Sequence, residues 1–124
     1  MLPAVGDTFR IAMKVRLADV ISTDVWESVH GRRIAQKHLD YLLVSPKQTR
    51  ITAAVELKDS SHQRQERMER DRFVAEALAA AWIPLIEFPI YQTYDPRKIR
   101  RRILSAVNTM KKDNARRKLR RASH

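Results

Sequence analysis

Two apolar runs, His38 to Val44 (HLDYLLV) and Ile51 to Lys58 (ITAAVELK), stand on either side of SPKQTR, and this arrangement constrains the fold more than any other stretch of the chain. Each run is strand-length, and Pro46 with its polar neighbours suits a hairpin loop. In a strand, residues two apart share a face. Ile51, Ala53, Val55 and Leu57 therefore point one way, and Thr52, Ala54, Glu56 and Lys58 the other, so that one face suits a core and the other carries charge. Pairing about Gln48 sets Val44 opposite Thr52, Leu42 opposite Ala54, Asp40 opposite Glu56 and His38 opposite Lys58. Directly opposed side chains have Cβ atoms roughly 5 Å apart, where two like charges destabilise unless something sits between them. A divalent cation would resolve the conflict. Mg²⁺ takes carboxylate oxygens at about 2.1 Å and keeps several waters, which leaves room for a phosphate and an attacking water. Lys58 is then placed to orient that water or to neutralise charge developing on phosphoryl oxygens.

Asp40, a fifteen-residue gap, and then Glu56-Leu57-Lys58 resembles the D…(D/E)-x-K signature of the PD-(D/E)XK nuclease superfamily. More specific is the order and spacing of KVRLADV, KHLDYLLV, VELKDSSHQR with a later RD, and EALAAAWIPLIEFP. Together these resemble an uncharacterised bacterial family related to very-short-patch-repair endonucleases, over roughly Phe9 to Pro89. The resemblance implies a restriction-endonuclease-like α/β core, with a mixed sheet of about four strands flanked by helices. It also implies an endonuclease that hydrolyses phosphodiester bonds in nucleic acid, most readily DNA, with Mg²⁺ or Mn²⁺ as cofactor, in repair, restriction or mobile-element processing. Carried over by position, Asp40 and Glu56 become metal ligands, the Leu57 carbonyl a third, and Lys58 the catalytic lysine. His62 matches a histidine near the scissile phosphate, and Asp71 the acidic member of an R-D pair on the next helix. Two departures stand out. The near relatives carry an acidic residue where Lys58 stands, and the helix expected before the first strand is missing, which reads as a minimal or truncated domain.

The remaining chain fits one domain, residues 1–110, followed by a basic tail, 111–124. At 124 residues it is long enough for one modest core. Absence of cysteine excludes disulfides and argues against structural zinc. Lys and Arg number 25 against 14 Asp and Glu, a net charge of +11, which points to polyanionic partners and first to nucleic acid. No transmembrane stretch or signal peptide is evident, so the expected location is cytoplasmic and away from membranes.

Phe9 to Leu17 alternates strictly, with Phe9, Ile11, Met13, Val15 and Leu17 on one face, and predicts a first strand. Asp19 and Asp24 read as turn chemistry rather than as ligands. WESVHGRRIAQ, from Trp26 to Gln36, has no clear period. It reads either as a loop whose His30, Arg32, Arg33 and Lys37 meet phosphates or as a solvated connection. Asp59-Ser60-Ser61 with Gln63 predicts a helix start, the helix running from about His62 to Ala81 with Phe73, Val74, Ala77, Leu78 and Ala81 as core. Its first half is polar, with Arg64, Arg67, Arg70 and Arg72. It is either a solvated face stitched by pairs such as Glu66 with Arg70 or a DNA-facing surface, and its place after the metal strand favours DNA, with Arg64 and Arg67 as contacts. His62 is either an exposed first helical residue or, four residues past Lys58, a general acid or phosphate contact. Here the resemblance favours function.

Trp82 to Phe88 predicts a fourth strand, parallel to the one before the helix by a right-handed crossover, with Glu87 as a surface or edge residue. Asp95 caps a last helix with Pro96 at its first position, and Ile99, Ile103, Val107 and Met110 form its apolar stripe. From Lys111 the apolar residues nearly vanish, predicting a frayed tail in which Lys111, Lys112, Arg116, Arg117 and Lys118 contact phosphates. Residues 97–121 hold twelve of the basic residues and a single acidic one, Asp113. Besides a nuclease, two alternatives stand: a non-catalytic nucleic-acid-binding module on the same fold, and a subunit competent only as a homodimer or within a larger protein.

Overall fold

A computed structural model describes residue 6 and residues 8–22, 29–47, 50–58, 65–90 and 94–122, with the side chains of residues 29, 30, 33 and 65–67 outside the description. Four strands, β1 (Arg10–Arg16), β2 (His38–Val44), β3 (Ile51–Lys58) and β4 (Leu85–Pro89), form one sheet in chain order. The first three are antiparallel, and β4 runs parallel to β3. The helices are α1 (Leu17–Val20), α2 (Val29–Ala35), α3 (Gln65–Ala80) and α4 (Pro96–Ala122). This is a mixed α/β fold with helices on both sheet faces.

On one face Ile99, Ile103 and Val107 of α4 pack on Leu43, Ala53, Val55, Ile86 and Phe88. On the other, Ile34 of α2 and Val74 and Leu78 of α3 pack on Leu39, Leu42 and Ala54. Ala54 is fully buried, so the β3 face expected to carry only chemistry is a core surface in its first half and charged in its second. Each large side chain here contributes strongly to stability, and truncating one such as Leu78 to Ala would cost about 2–5 kcal/mol.

The hairpin register is as the alternation predicts at Leu42↔Ala54, but an irregularity between Leu43 and Val44 moves Val44 opposite Ile51 instead of Thr52. In β1 the strict alternation fails. Phe9 and Ile11 belong to the α4-side cluster, whereas Val15 and Leu17 belong to the α3-side cluster. The break falls at Lys14, whose φ of 54° is left-handed and interrupts the β1–β2 ladder between Met13↔Tyr41 and Val15↔Leu39. β2 breaks in step, because Leu39 and Leu42, three apart, share one cluster. A bulge-like residue shifts every later side chain to the other face. Asp40 sits opposite that break.

WESVHGRRIAQ, without an evident period, contains α2, and two of its residues, Ile34 and Ala35, are buried hydrophobics. The start predicted for α3 at His62, with its Ser60 and Gln63 box, lies outside the described residues. Its C-terminus is a Schellman turn. Ile83 N–H donates to Leu78 O and Trp82 N–H to Ala79 O, each at 2.9 Å, with Trp82 left-handed at φ 62° and Ile83 packed beside Leu78. Ala81 is exposed beyond that turn instead of in the core. Asp95 caps α4 as expected, its Oδ1 accepting from Arg97 N–H at 3.0 Å. The expected fraying from Lys111 is corrected: the chain is helical to Ala122. Lys, Arg, Ala and Leu are good helix formers, so the helix outlasts its buried stripe.

Candidate active site

Asp40 on β2 and Glu56 on β3 meet where their strands cease to pair. The β2–β3 ladder ends at Tyr41↔Val55, and the next backbone donors go to side chains. Asp40 N–H donates to Glu56 Oε1 at 3.1 Å, and Leu57 N–H donates to Asp40 Oδ2 at 2.8 Å. Each carboxylate thereby satisfies a backbone group of the opposite strand that would otherwise lack its ladder partner.

Their outer oxygens face lysines. Lys14 Nζ lies 2.8 Å from Asp40 Oδ1, and Lys37 Nζ 3.3 Å from Glu56 Oε2. Lys14 reaches Asp40 from the break in β1, and Lys37 stands directly before β2. Glu56 is 6% exposed, the one charged residue among the described ones that is buried. Burial pushes its carboxyl above the usual 4.5, only partly offset by Lys37 and the Asp40 N–H. For Asp40 burial also raises the pKa, but the Leu57 N–H and Lys14 outweigh it and hold the carboxyl below its ordinary 3.8.

Lys58, at the end of β3, is gripped from two sides. Its ammonium lies 2.8 Å from Asp71 Oδ2 on α3 and 3.1 Å from Glu87 Oε2 on β4. Burial lowers its pKa, and the two carboxylates more than reverse this, holding it above 10.5. Lys58 is therefore an ammonium throughout the neutral range, suited to binding a phosphoryl oxygen or orienting water and not to removing a proton. Glu87 is its second anchor because the parallel register sets Glu87 beside Glu56. The expectation of a plain edge residue captured its strand, which lies at the edge of the sheet, and missed its contact.

Asp40, Glu56, Leu57 and Lys58 are thus brought together, and Asp71 joins them through Lys58. His62 and Arg64 lie outside the described residues, and Arg67 lies in α3 with its side chain undescribed. Lys111, Lys112, Arg116, Arg117 and Lys118 are exposed along the second half of α4. Asp19 pairs with Arg16 at 3.1 Å, consistent with its local reading. Lys14, Lys37 and Glu87 are additions to the site predicted from sequence. Lys14 could have been found by extending the hairpin register one strand outward, and Lys37 by extending β2 one residue toward its start.

The carboxylate pair supplies hard oxygen donors, which suit Mg²⁺ or Mn²⁺. Among the described residues no three His, Cys, Asp or Glu side chains converge as a metal-binding group. The described residues therefore offer two carboxylates, and an ion there would complete its shell with water and phosphate, as Mg²⁺ commonly does. Such an ion would displace Lys14 and Lys37 from the oxygens they now face. No helix among the described residues is long and apolar enough to cross a membrane.

The sequence model of one protein family, described as a protein of unknown function (DUF2726), matches residues 2–107. No curated protein and no solved structure matches the chain.

Proposed function

We propose that this chain, which belongs to the DUF2726 family of proteins of unknown function, is a metal-dependent nuclease of restriction-endonuclease-like core acting on nucleic acid, with DNA the favoured substrate and the cytoplasm its place of action. The observation that carries the reading is the meeting of Asp40 and Glu56 at the end of the β2–β3 ladder, with a clamped, protonated Lys58 beside them. Asp40 and Glu56 would hold Mg²⁺ or Mn²⁺, with the Leu57 carbonyl as a further donor. The bound ion would supply positive charge to the phosphoryl oxygen under attack. Lys58 stabilises the negative charge that builds there, and Asp71 and Glu87 keep its ammonium in place. Because Lys58 stays protonated, the proton of the attacking water leaves to another acceptor, a role open to His62. Repair, restriction and mobile-element processing all suit such an activity.

A second reading has its own support. Each carboxylate of the pair already faces an ammonium group, and among the described residues no third acidic side chain joins them as a metal-binding group. On that reading the chain is a non-catalytic nucleic-acid-binding module, or becomes competent as a homodimer. Nicking of supercoiled plasmid and of labelled single- and double-stranded oligonucleotides, with Mg²⁺, Mn²⁺ or EDTA, decides. Metal-dependent cleavage lost in Glu56→Gln and cut to a small residual single-turnover rate in Lys58→Met is the expected result. Wild-type protein that shifts DNA on a gel and never cuts it would overturn the catalytic reading for this chain.

A further inference from the structure

The second half of α4 and Trp82 enclose an open groove at the other end of the sheet from the carboxylate pair. Asp113, Arg116, Arg117, Arg120 and Arg121 line it together with Trp82. Positions spaced three and four apart lie on one helix face, so these five present a single surface. Trp82 reaches that surface because it precedes β4: Pro84 O accepts from Ala54 N–H, which ties this turn to the first half of β3. Glu56 lies further along β3, about 13 Å from Thr52 at the strand rise of 3.3 Å per residue. Thr52 itself lines the neighbouring cavity, of about 200 Å³, with Arg50, Lys111 and Lys118. Basic groups thus continue from the groove toward the hairpin.

Three properties coincide here. Four guanidinium groups converge where, among the described residues, the only acidic lining residue is Asp113. Arg117 lies over the Trp82 ring, 5.7 Å from its centroid, so cation and aromatic face are already in register. Trp82 is also left-handed, at the turn position that favours glycine. A large aromatic residue held in a sparsely populated backbone conformation is a sign of function, because packing alone would be met with less strain.

We propose that this groove binds a single-stranded polynucleotide, with a base stacked on the Trp82 indole and the flanking phosphates held by Arg116, Arg117, Arg120 and Arg121. Guanidinium forks match phosphate oxygens, and an indole face accepts any unpaired base. A base within a duplex is stacked on its neighbours and cannot reach the ring. The groove therefore distinguishes single strands from duplex, which α4 charge alone would not. The proposal extends the nucleic-acid reading to a second surface and is independent of cleavage at the carboxylate site.

The test uses Trp26→Phe, which leaves Trp82 as the one tryptophan, with Glu56→Gln added and EDTA present so that no strand is cut. Oligo(dT) and oligo(U) twelve-mers, a duplex of the same length and inorganic polyphosphate are titrated while indole emission is followed. Both single strands should quench the emission. Replacing Trp82 by Gly in otherwise native protein, with binding followed by the anisotropy of labelled oligomers, should weaken single-strand binding about 5- to 100-fold. Duplex and polyphosphate binding should stay within about twofold, and Trp82→Phe should retain most of the affinity. Glycine is the residue preferred at this φ, and circular dichroism with a melting curve verifies the fold of the variant. Absence of quenching, equal losses for all four ligands in Trp82→Gly, or no loss at all would overturn the proposal.

Discussion

The backbone N–H of Asp40 donates to the side chain of Glu56, at 3.1 Å, in place of a strand-to-strand bond. The reciprocal contact, Leu57 N–H to Asp40 Oδ2 at 2.8 Å, makes each carboxylate part of the sheet as well as of the site. Two functions therefore load on the same atoms, and substitutions should separate them by whether they leave an acceptor behind.

Alanine at either position removes the acceptor and strands a partly buried N–H, at a cost of about 1–3 kcal/mol. Asparagine and glutamine retain a carbonyl oxygen. Asp40→Ala and Glu56→Ala should thus melt several degrees below wild type, while Asp40→Asn and Glu56→Gln fold normally and lose Mg²⁺ binding in a calorimetric titration. Melting curves in EDTA measure the first effect free of the second. Equal melting of the Ala and amide variants would refute the shared role.

Acid dependence should split the two carboxylates. Asp40 has a folded pKa below its ordinary 3.8, so its stabilising contribution is complete above that value and is lost as pH falls through the depressed one. Glu56 has a folded pKa above 4.5, so its ionised form opposes folding at neutral pH, and stability from this group rises as pH falls through the raised value. At pH 7 Glu56→Gln should consequently melt at or above wild type. That advantage should shrink as pH falls toward 4.5, because wild-type Glu56 in the folded protein takes up its proton above that value. Thermal melts of both proteins from pH 4 to 8 give the comparison, and an advantage that grows on acidification would contradict it.

Much of this site was legible in the hairpin, and the reasons it was not all legible are physical. Alternation in His38–Val44 and Ile51–Lys58 carries the register at Leu42↔Ala54, and hence the approach of Asp40 to Glu56. The break in β1 has no such mark, because Lys14 is left-handed without being glycine. Glu87 depends on a parallel register set by the crossover through α3, which local pattern does not encode. α2 spans two turns, too few positions for a period to declare itself. α4 outran its apolar stripe because helix propensity, and not burial, carries its last three turns.

Asp71 and Glu87 should act on catalysis through Lys58. Neither need touch substrate, and both fix the ammonium that the proposed mechanism sets against the phosphoryl oxygen. In the proposed nuclease, Asp71→Asn with Glu87→Gln should reduce single-turnover cleavage when Lys58 is present and add nothing in a Lys58→Met background. Lys58 retains its proton to above 10.5, so the rate should show no alkaline limb from this group between pH 6 and 9. A double variant that depresses cleavage equally with and without Lys58 would place the two carboxylates elsewhere in the mechanism.

Lys14 should set the affinity of the site for cations. Its ammonium, 2.8 Å from Asp40 Oδ1, occupies the direction from which a divalent ion would approach that carboxylate. The side chain is 70% exposed and can swing into solvent, whereas Asp40 is held by the Leu57 N–H. Lysine and Mg²⁺ therefore compete for one oxygen, and removing the lysine should tighten Mg²⁺ binding several-fold. Glycine is the informative replacement, because it also suits the φ of 54° that lysine must adopt here. Lys14→Gly is expected to fold at least as well as Lys14→Ala, to bind Mg²⁺ more tightly than wild type by calorimetry, and to lose that gain when Asp40→Asn is added. If Mg²⁺ affinity instead falls in Lys14→Gly, the ammonium assists the ion, for example by holding Asp40 in its binding position, and the competition is excluded.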